Sequence, residues 1–255
     1  MGKIIAVANQ KGGVGKTTTT VNLAAALAYL KKRILIVDFD PQANATQGVG
    51  AYNIGVNKSS YDLLFSDIPA KDTVKQLSIP QLSIVPETIE LAGADLEMSE
   101  YKVGKELILK NRLNEIRDDY DFILIDCPPS LGLLNTNAFT AADSVLIPVQ
   151  CEYYALEGLT QLLSTIRLVQ RLFNRKLVIE GVLLTMFNAT TNLSLEVQQE
   201  VRRYFKESTY TTHIPRSVKL SEAPSRGQTI FEYDIKSAGA IAYASLAKEV
   251  IKDNE

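Results

Sequence analysis

The chain has 255 residues, of which 46% are apolar and 22% charged. This composition is typical of a globular protein and excludes collagenous, disulfide-framework and wholly disordered classes. Its 27 basic and 29 acidic residues give a net charge of -2, which argues against a uniformly basic nucleic-acid binder. Two cysteines cannot form a disulfide framework, and we expect a reducing, cytoplasmic location without a leader peptide. No apolar run reaches the ~20 residues that a membrane-spanning helix requires.

Short β-branched and aliphatic runs predict six buried parallel strands, at 3–8, 33–37, 82–85, 122–125, 144–149 and 177–186. Apolar residues at helical spacing predict helices, the clearest at 16–30, 157–173 and 193–205. This alternation predicts an α/β fold of right-handed βαβ units, with a mostly parallel, twisted sheet flanked by helices on both faces. The segment 52–105 is less regular and is expected to hold surface helices and loops. Because no linker interrupts the chain, we expect one domain over residues 1–255.

Charge is unevenly distributed along the chain. Residues 161–226 include ten basic and five acidic side chains, so this window carries +5 and the remainder -7. A polyanion would therefore meet mainly one part of the surface. Solvated helix faces would explain the same charges without a partner, and charge alone does not decide between the two interpretations.

A glycine-rich loop lies between the first predicted strand and the first predicted helix. Its backbone N–H groups and the helix N-terminus can cradle phosphates, while Lys16 can bridge β- and γ-phosphates and the Thr17 hydroxyl can bind Mg²⁺. A dinucleotide fingerprint would need glycine at Thr18, and an ordinary Walker A motif would need glycine at Gln10. The pattern that remains is a variant of the Walker A motif that begins with lysine. Its residues are Lys11, Gly12, Gly13, Val14, Gly15, Lys16, Thr17 and Thr18.

This loop resembles the deviant Walker A motif of the ParA/MinD group of ATPases. Four further blocks resemble the ParA/Soj branch of that group: IVDFDPQANAT at 36–46, IDCPPSLG at 125–132, PVQCEYYALEGL at 148–159 and LSEAPS at 220–225. The blocks span nearly the whole chain in order. The resemblance implies a single-domain P-loop NTPase that uses ATP and Mg²⁺.

The resemblance also implies roles for individual residues. Lys11 would reach across a dimer to the partner subunit's nucleotide, and Gly12 would lie where the two backbones approach closely. Asp40 would orient the attacking water and, with Thr17 and Asp126, belong to the magnesium site; Asp126 holds the Walker B position. Catalysis would therefore depend on Lys11, Lys16 and Asp40.

Other positions are assigned by the same resemblance. Asn188 and the loop at Pro215 would contact adenine, and the segment after Asp126 would be a switch that senses the γ-phosphate. Both cysteines are expected to be small buried residues rather than nucleophiles. Because His213 is the single histidine, a metal site built on histidine ligands is improbable, and His213 is expected to be structural or to line the nucleotide pocket.

The function that follows is an ATP-dependent homodimer that binds non-specific DNA and segregates chromosomes or plasmids, with slow hydrolysis acting as a timer. Its partner would be a centromere-binding ParB-like protein whose N-terminal peptide stimulates the ATPase. This would place the protein on the nucleoid. The expected DNA contacts are Arg216, Lys219 and Arg226, because Thr190 and Ala238 replace residues that are often basic in relatives.

Two alternatives remain open from sequence. A MinD-like ATPase on a membrane surface would need a C-terminal amphipathic helix, but residues 246–255 hold few bulky apolar side chains and three acidic ones, so no membrane binding is expected. A ParA-like ATPase that positions a protein cargo is not distinguished by sequence, because the choice of cargo lies in a partner.

Overall fold

A computed structural model describes residues 1–152 and 159–254 of the chain. Its sheet has seven strands in the order β3-β4-β2-β5-β1-β6-β7, and all pairs are parallel except β3 with β4. The strands are β1 (Lys3–Val7), β2 (Ile34–Asp38), β3 (Lys75–Gln76), β4 (Leu82–Val85), β5 (Phe122–Asp126), β6 (Ser144–Gln150) and β7 (Val178–Thr185). The predicted α/β class and mostly parallel sheet are confirmed.

The six predicted strands are confirmed with ends displaced by one residue at most, and β4 matches its predicted bounds. Their interiors are apolar apart from Ser83 in β4 and Glu180 in β7, as expected for strands covered by helices on both faces. The two-residue strand β3 was not predicted, because Lys75 and Gln76 carry neither an apolar run nor β-branched residues.

The helices of the described residues cover both faces of the sheet. They are α1 (Lys16–Tyr29), α2 (Asn44–Gly48), α3 (Ser60–Phe65), α4 (Ala94–Glu100), α5 (Ile108–Asn114), α6 (Leu133–Ala141), α7 (Leu159–Leu172), α8 (Asn192–Phe205), α9 (Val218–Glu222), α10 (Ile230–Asp234) and α11 (Ala238–Asp253). The predicted helix at 157–173 begins within residues 153–158, which lie outside the described part. The irregular segment 52–105 holds α3, α4 and several 3₁₀ turns, as expected.

Alternate side chains of each strand enter two separate apolar cores. On one face, Ile5 and Val7 of β1 pack with Leu27 of α1 and Leu246 of α11. On the other face, Ile4 and Ala6 pack with side chains of α5, α6 and α7. The sheet is therefore the middle of three layers, and the ends of its strands remain free to form a site.

Both outer edges of the sheet are short or covered. At one edge β3 pairs with β4 through two residues only. At the other, Val182 of β7 forms a bridge with Thr209, and its carbonyl accepts a hydrogen bond from the Tyr210 N–H at 3.1 Å. The Tyr210 ring lies against Gly181, where a Cβ would be 2.4 Å from a ring carbon.

Helix α11 is packed onto α1 along its length. Its Tyr243, Leu246 and Val250 are buried, and the Tyr243 hydroxyl lies 3.2 Å from Thr19 Oγ1 of α1. Within the described residues, no helix is long and apolar enough to cross a membrane.

Candidate nucleotide-binding site

The glycine-rich loop leaves the end of β1 and turns directly into α1. Gly13 and Gly15 have φ angles of 75° and 87°, which side chains with a Cβ rarely adopt, so these two positions favour glycine. Gly15 is the N-cap of α1, and its carbonyl accepts a hydrogen bond from the Thr19 N–H at 2.9 Å. Thr185, at the end of β7, donates from its hydroxyl to the Val14 carbonyl at 2.8 Å. The loop is thus fixed to the end of β7, which lies two strands away from β1 in the sheet.

A cleft of about 580 Å³ opens in front of this loop at the carboxyl ends of the strands. That edge is where open α/β sheets bind ligands. The predicted residues that line it are Gly12, Gly13, Gly15, Lys16, Thr17, Thr18 and Asp40, together with Pro129 of the expected switch. A cavity of about 340 Å³ shares Gly15, Thr18, Met186 and Pro224 with the cleft and includes Pro215. The two spaces together offer room for phosphates and a base.

The backbone is strained at two points around this cleft. Met186, which lines it, has a φ of 50°, and Ala43, the N-cap of α2, has a φ of 51°. Such left-handed conformations cost free energy in residues other than glycine and cluster at functional sites.

Three carboxyl groups meet beside the loop. Asp38 and Asp126 are the last residues of two paired strands and are fully buried, whereas Asp40 lines the cleft. Asp38 Oδ2 accepts hydrogen bonds from the Thr46 N–H and hydroxyl at 2.7 and 2.6 Å. Asp126 Oδ1 accepts from the Thr20 hydroxyl at 3.1 Å. Burial raises the pKa of both Asp38 and Asp126, and the negative charge of their carboxyl neighbours adds to this effect.

Lys16 extends from the first turn of α1 and is only 7% exposed. Its Nζ lies 3.3 Å from the Lys11 carbonyl oxygen. Burial lowers the pKa of Lys16, while Asp126 and Asp40 partly offset this by favouring the charged form. The ammonium therefore lies in a low-dielectric site where a phosphate oxyanion would be strongly attracted.

The donor groups present fit Mg²⁺. Asp38 Oδ1 and Asp126 Oδ2 are buried and have no hydrogen-bond partner in the described part of the chain. Oxygen ligands are the ones that Mg²⁺ prefers, usually one or two carboxylates plus substrate phosphates and water. Thr17 and Asp40, which line the cleft, would complete the oxygen set beside Asp126. Within the described residues no group of three or more His, Cys, Asp or Glu side chains is placed to hold a metal ion.

Lys11 is held in its own subunit by a residue to which sequence analysis gave no role. Its Nζ lies 3.1 Å from Glu152 Oε2, with both side chains partly exposed. Glu152 Oε1 accepts from Gln150 and lies 4.0 Å from an Arg216 nitrogen. Glu152 falls in the block 148–159, two residues beyond β6, and its place at the sheet edge was the available signal. The rest of that block, residues 153–158, lies outside the described part.

The two residues predicted to contact adenine, Pro215 and Asn188, lie in different surroundings. Pro215 lines the smaller cavity, whereas Asn188 is exposed and is not among the lining residues of either space. Asn188 Oδ1 accepts from the Thr190 N–H and hydroxyl at 3.1 and 2.8 Å, in the turn that precedes α8. His213 stacks on Phe187 with ring centroids 4.5 Å apart, so it is a packing residue.

The predicted DNA contacts lie on the surface near α9. Arg216 is 70% exposed at its side chain, and Arg226 is exposed. Lys219 is ion-paired with Asp234, and this hydrogen bond raises the pKa of Lys219. The cysteines are buried as expected, and burial raises the pKa of Cys151 to about 12 and raises the pKa of Cys127 well above its ordinary value.

Several polar residues of the site were missed from sequence. Thr20, Thr46 and Thr185 each place a hydroxyl on a loop or carboxylate of the site. Thr20 had a signal, since a polar residue stands on the buried face of α1. Thr46 and Thr185 had no such signal. Their hydroxyls contact residues that are 8 and 171 positions away in the chain, and the pattern of apolar residues along the sequence does not reveal such contacts.

The geometry agrees with comparisons to known proteins. An AAA domain family matches residues 2–179. The chain is 57% identical over 250 residues to the sporulation initiation inhibitor protein Soj of Bacillus subtilis, covering 98% of each chain. It is 48% identical over 252 residues to the chromosome partitioning protein ParA of Myxococcus xanthus, covering 99% of this chain and 89% of that one.

Solved structures give the same fold. Cobyrinic acid a,c-diamide synthase from Mycobacterium smegmatis, with bound ADP and magnesium, aligns with a TM-score of 0.86 and 35% identity over 99% of this chain and 95% of that one.

A parallel sheet, a glycine-rich loop that opens a helix, and aspartates after two neighbouring strands define a P-loop ATPase whose loop begins with lysine. The comparisons with known proteins narrow this class to one family. The chain belongs to the ParA/Soj family of partitioning ATPases. It is an ATP hydrolase, and its cofactor is Mg²⁺.

Proposed function

We propose that this chain is an ATP-dependent dimerising switch that binds non-specific DNA and acts in chromosome or plasmid segregation with a centromere-binding, ParB-like partner. The observation that carries the proposal is the contrast between its two loop lysines. Lys16 is buried beside its own cleft, whereas Lys11 is partly exposed and forms an ion pair with Glu152. A lysine that is free to leave its own subunit can serve a second nucleotide.

In this proposal each residue has a separate task. Lys16 and the loop N–H groups bind the chain's own phosphates, and Mg²⁺, when bound, neutralises their charge. Asp40 orients the attacking water in the cleft. Lys11 of one subunit stabilises the negative charge that develops on the partner's phosphates, where water is excluded by the dimer.

The shape of the loop supports a close dimer. A Cβ added to Gly12 meets no atom within 4 Å in the single chain, so the monomer does not itself require glycine there. Close approach by a second backbone supplies a reason for glycine at this position.

DNA binding is proposed through Arg216, Lys219 and Arg226. Phosphate contacts of this kind carry no sequence information, so binding would be non-specific. Lys219 already pairs with Asp234, and the Thr190 hydroxyl is used by Asn188. We therefore expect weak DNA affinity that depends on the doubled site of the dimer.

The membrane-surface alternative is less well supported. Its anchor would be a C-terminal amphipathic helix, but Tyr243, Leu246 and Val250 of α11 are buried in the core that α11 shares with α1. The protein-cargo alternative differs only in the partner and is tested by DNA binding.

The test measures mass in solution with ATP and with ADP, for wild type and for Gly12→Val, followed by DNA binding of each species. Wild type should be a dimer only with ATP, and the dimer alone should bind DNA. Gly12→Val should bind ATP and remain a monomer. A wild-type monomer in ATP would overturn the dimer, and an ATP dimer without DNA affinity at low salt would favour a protein cargo.

A further inference from the structure

An apolar strip faces solvent on the segment that follows β4. Residues 89–100 form a 3₁₀ turn (Ile89–Gly93) that continues into α4. Leu91, Ala94 and Met98 face the core, which leaves the opposite side of the same helix outside. That side carries Ile89 and Leu96, which are 81% and 77% exposed, and Val103 beyond it is 88% exposed. Ile89 and Leu96 are seven residues apart, close to two helical turns, so they lie on the same side of this helical segment, and Val103 follows the end of α4 by three residues.

Acidic residues surround this strip. Residues 87–107 include six acidic and two basic side chains. Four of the acids have partners inside the chain, because Glu87 and Asp95 accept from backbone N–H groups, Glu97 accepts from Tyr61 and Glu90 accepts from the Thr88 hydroxyl. Glu90 and Glu100 are exposed beside the apolar side chains. The strip therefore presents apolar contacts with negative charge at its margin.

The inner side of the same helix is attached to the expected switch after Asp126. Asp95 Oδ1 accepts a hydrogen bond from the Leu134 N–H at 3.0 Å, at the start of α6. A Cβ on Gly132 would lie 2.2 Å from Asp95 Oδ2, so the carboxylate packs directly on that turn. Pro129, three residues earlier, lines the nucleotide cleft.

A second attachment leads to the segment after Asp40. Glu87 is fully buried; its N–H donates to Thr46 Oγ1 at 2.8 Å and its Oε1 accepts from the Leu91 N–H at 3.2 Å. The Thr46 hydroxyl donates in turn to Asp38 at 2.6 Å. Residues 87–100 thus contact both the segment after Asp40, through Glu87 and Thr46, and the segment after Asp126, through Asp95.

We propose that the strip formed by Ile89, Leu96 and Val103 is the docking surface for a basic amphipathic segment of a partner protein, and that Glu87 and Asp95 pass its binding to the nucleotide site. The inference rests on the proposed function in identifying that partner as the centromere-binding protein. Charge complementarity selects the occupant, because a basic segment meets Glu90 and Glu100 while its apolar side covers the strip. A second copy of this chain would place acidic margins against each other in a two-fold contact.

The test uses two synthetic, fluorescein-labelled amphipathic helices of about 14 residues, long enough to span the strip at 1.5 Å per residue. One contains leucine and lysine, and the other contains leucine and glutamate. Fluorescence anisotropy measures their binding to the full chain with ATP. Leu96→Glu and Glu100→Lys are compared with Ile241→Glu and Glu207→Lys, which change exposed residues elsewhere, Ile241 on the opposite face of the sheet. Partner-stimulated ATP hydrolysis is measured on the same variants.

The leucine–lysine peptide should bind wild type, and the leucine–glutamate peptide should not. Leu96→Glu and Glu100→Lys should weaken peptide binding and raise the half-stimulating partner concentration by about tenfold or more. For the two control variants, peptide affinity and the half-stimulating partner concentration should remain within about twofold of wild type. The rate of ATP hydrolysis without partner should also remain within about twofold of wild type in all four variants. The acid-to-amide variant Asp95→Asn should bind the peptide normally but lose stimulation, because the docking surface is intact while its attachment to α6 is weakened.

Equal effects of Leu96→Glu and Ile241→Glu would overturn the docking surface and leave the proposed function intact. Loss of the ATP dimer in Leu96→Glu alone would also overturn it and assign the strip to a second copy. A wild type that fails to dimerise with ATP would overturn the proposed function, whereas peptide binding would still decide the docking surface.

Discussion

Lys11 and Lys16 are five residues apart and lie in different surroundings. Lys16 is buried beside Asp40 and Asp126, whereas Lys11 is paired with Glu152 on the surface. We predict that Lys16→Ala weakens ATP binding by about 100-fold or more, since it removes a buried charge-assisted contact to the chain's own phosphates. Lys11→Ala should keep ATP affinity within about threefold but lose dimerisation and hydrolysis. Titration with a fluorescent ATP analogue and mass in solution measure the two effects.

An equal loss of ATP affinity in both variants would contradict the separate tasks of the two lysines. Glu152→Gln provides a matched control at the same ion pair. It releases Lys11 without removing it, so dimerisation should be retained or strengthened.

Glu87 is a buried acid whose Oε2 has no partner among the described residues. Burial raises the pKa of Glu87 from 4.5 to about 8. Between these values the unfolded chain releases the proton while the folded chain keeps it, so stability falls as pH rises through this window. We predict that Glu87→Gln, which removes this penalty, gains stability relative to wild type by about 1 kcal/mol or more between pH 4.5 and pH 8.

Thermal unfolding across that pH range measures this difference, with a shift of about 2–4 °C in Tm for each kcal/mol in a chain of this size. The exposed Glu207→Gln is the control and should give a difference independent of pH. A Glu87→Gln difference that stays constant across the window would show that Glu87 titrates normally.

The turn that precedes α8 carries Thr190 at a position where the resemblance to the ParA/Soj branch leads us to expect a basic residue. Thr190 is exposed there, and its hydroxyl donates to Asn188 inside the turn. A neutral hydroxyl releases no counterion when it meets a phosphate. We predict that Thr190→Arg strengthens ATP-dependent DNA binding and, with two copies per dimer, steepens the slope of log affinity against log salt by up to about 1.8.

A salt series with both proteins in the Asp40→Ala background measures the slope at a fixed nucleotide state. An unchanged slope would show that this turn does not face DNA. Thr190→Lys should reproduce most of the effect, because charge rather than hydrogen-bond geometry supplies the counterion term.

The elements that sequence predicted well are those whose residues face apolar cores on both sides. β2 and β5 are continuous apolar runs ending in aspartate, so their type and the position of their carboxyl ends were both predictable. The side chains that form hydrogen bonds to these terminal aspartates could not be predicted from sequence. Thr46 reaches Asp38 only because α2 folds back onto β2, and Glu87 is buried only because Thr46 and Leu91 surround it. Such long-range contacts leave no periodic signal.

At the scale of the whole molecule, hydrolysis is expected to act as a timer. We predict an intrinsic turnover well below the ~10 s⁻¹ that is typical of enzymes. Asp40→Ala should reduce it further and leave an ATP dimer that persists, because the water is no longer oriented while the phosphates remain bound. Mass in solution followed over time after ATP addition measures the lifetime of the dimer. Wild-type turnover by Asp40→Ala would remove Asp40 from the mechanism.

The covered edges of the sheet bear on how copies of this chain can meet when crowded on one DNA molecule. An open, long edge strand is a template on which a second chain can add its own strand without limit. Here β3 offers only two residues, and the outer side of β7 is engaged by Thr209 and Tyr210. Strand addition is thereby disfavoured even at high local concentration. Under the proposed function, self-association would then be left to the nucleotide face, where it would be reversible and end at two subunits.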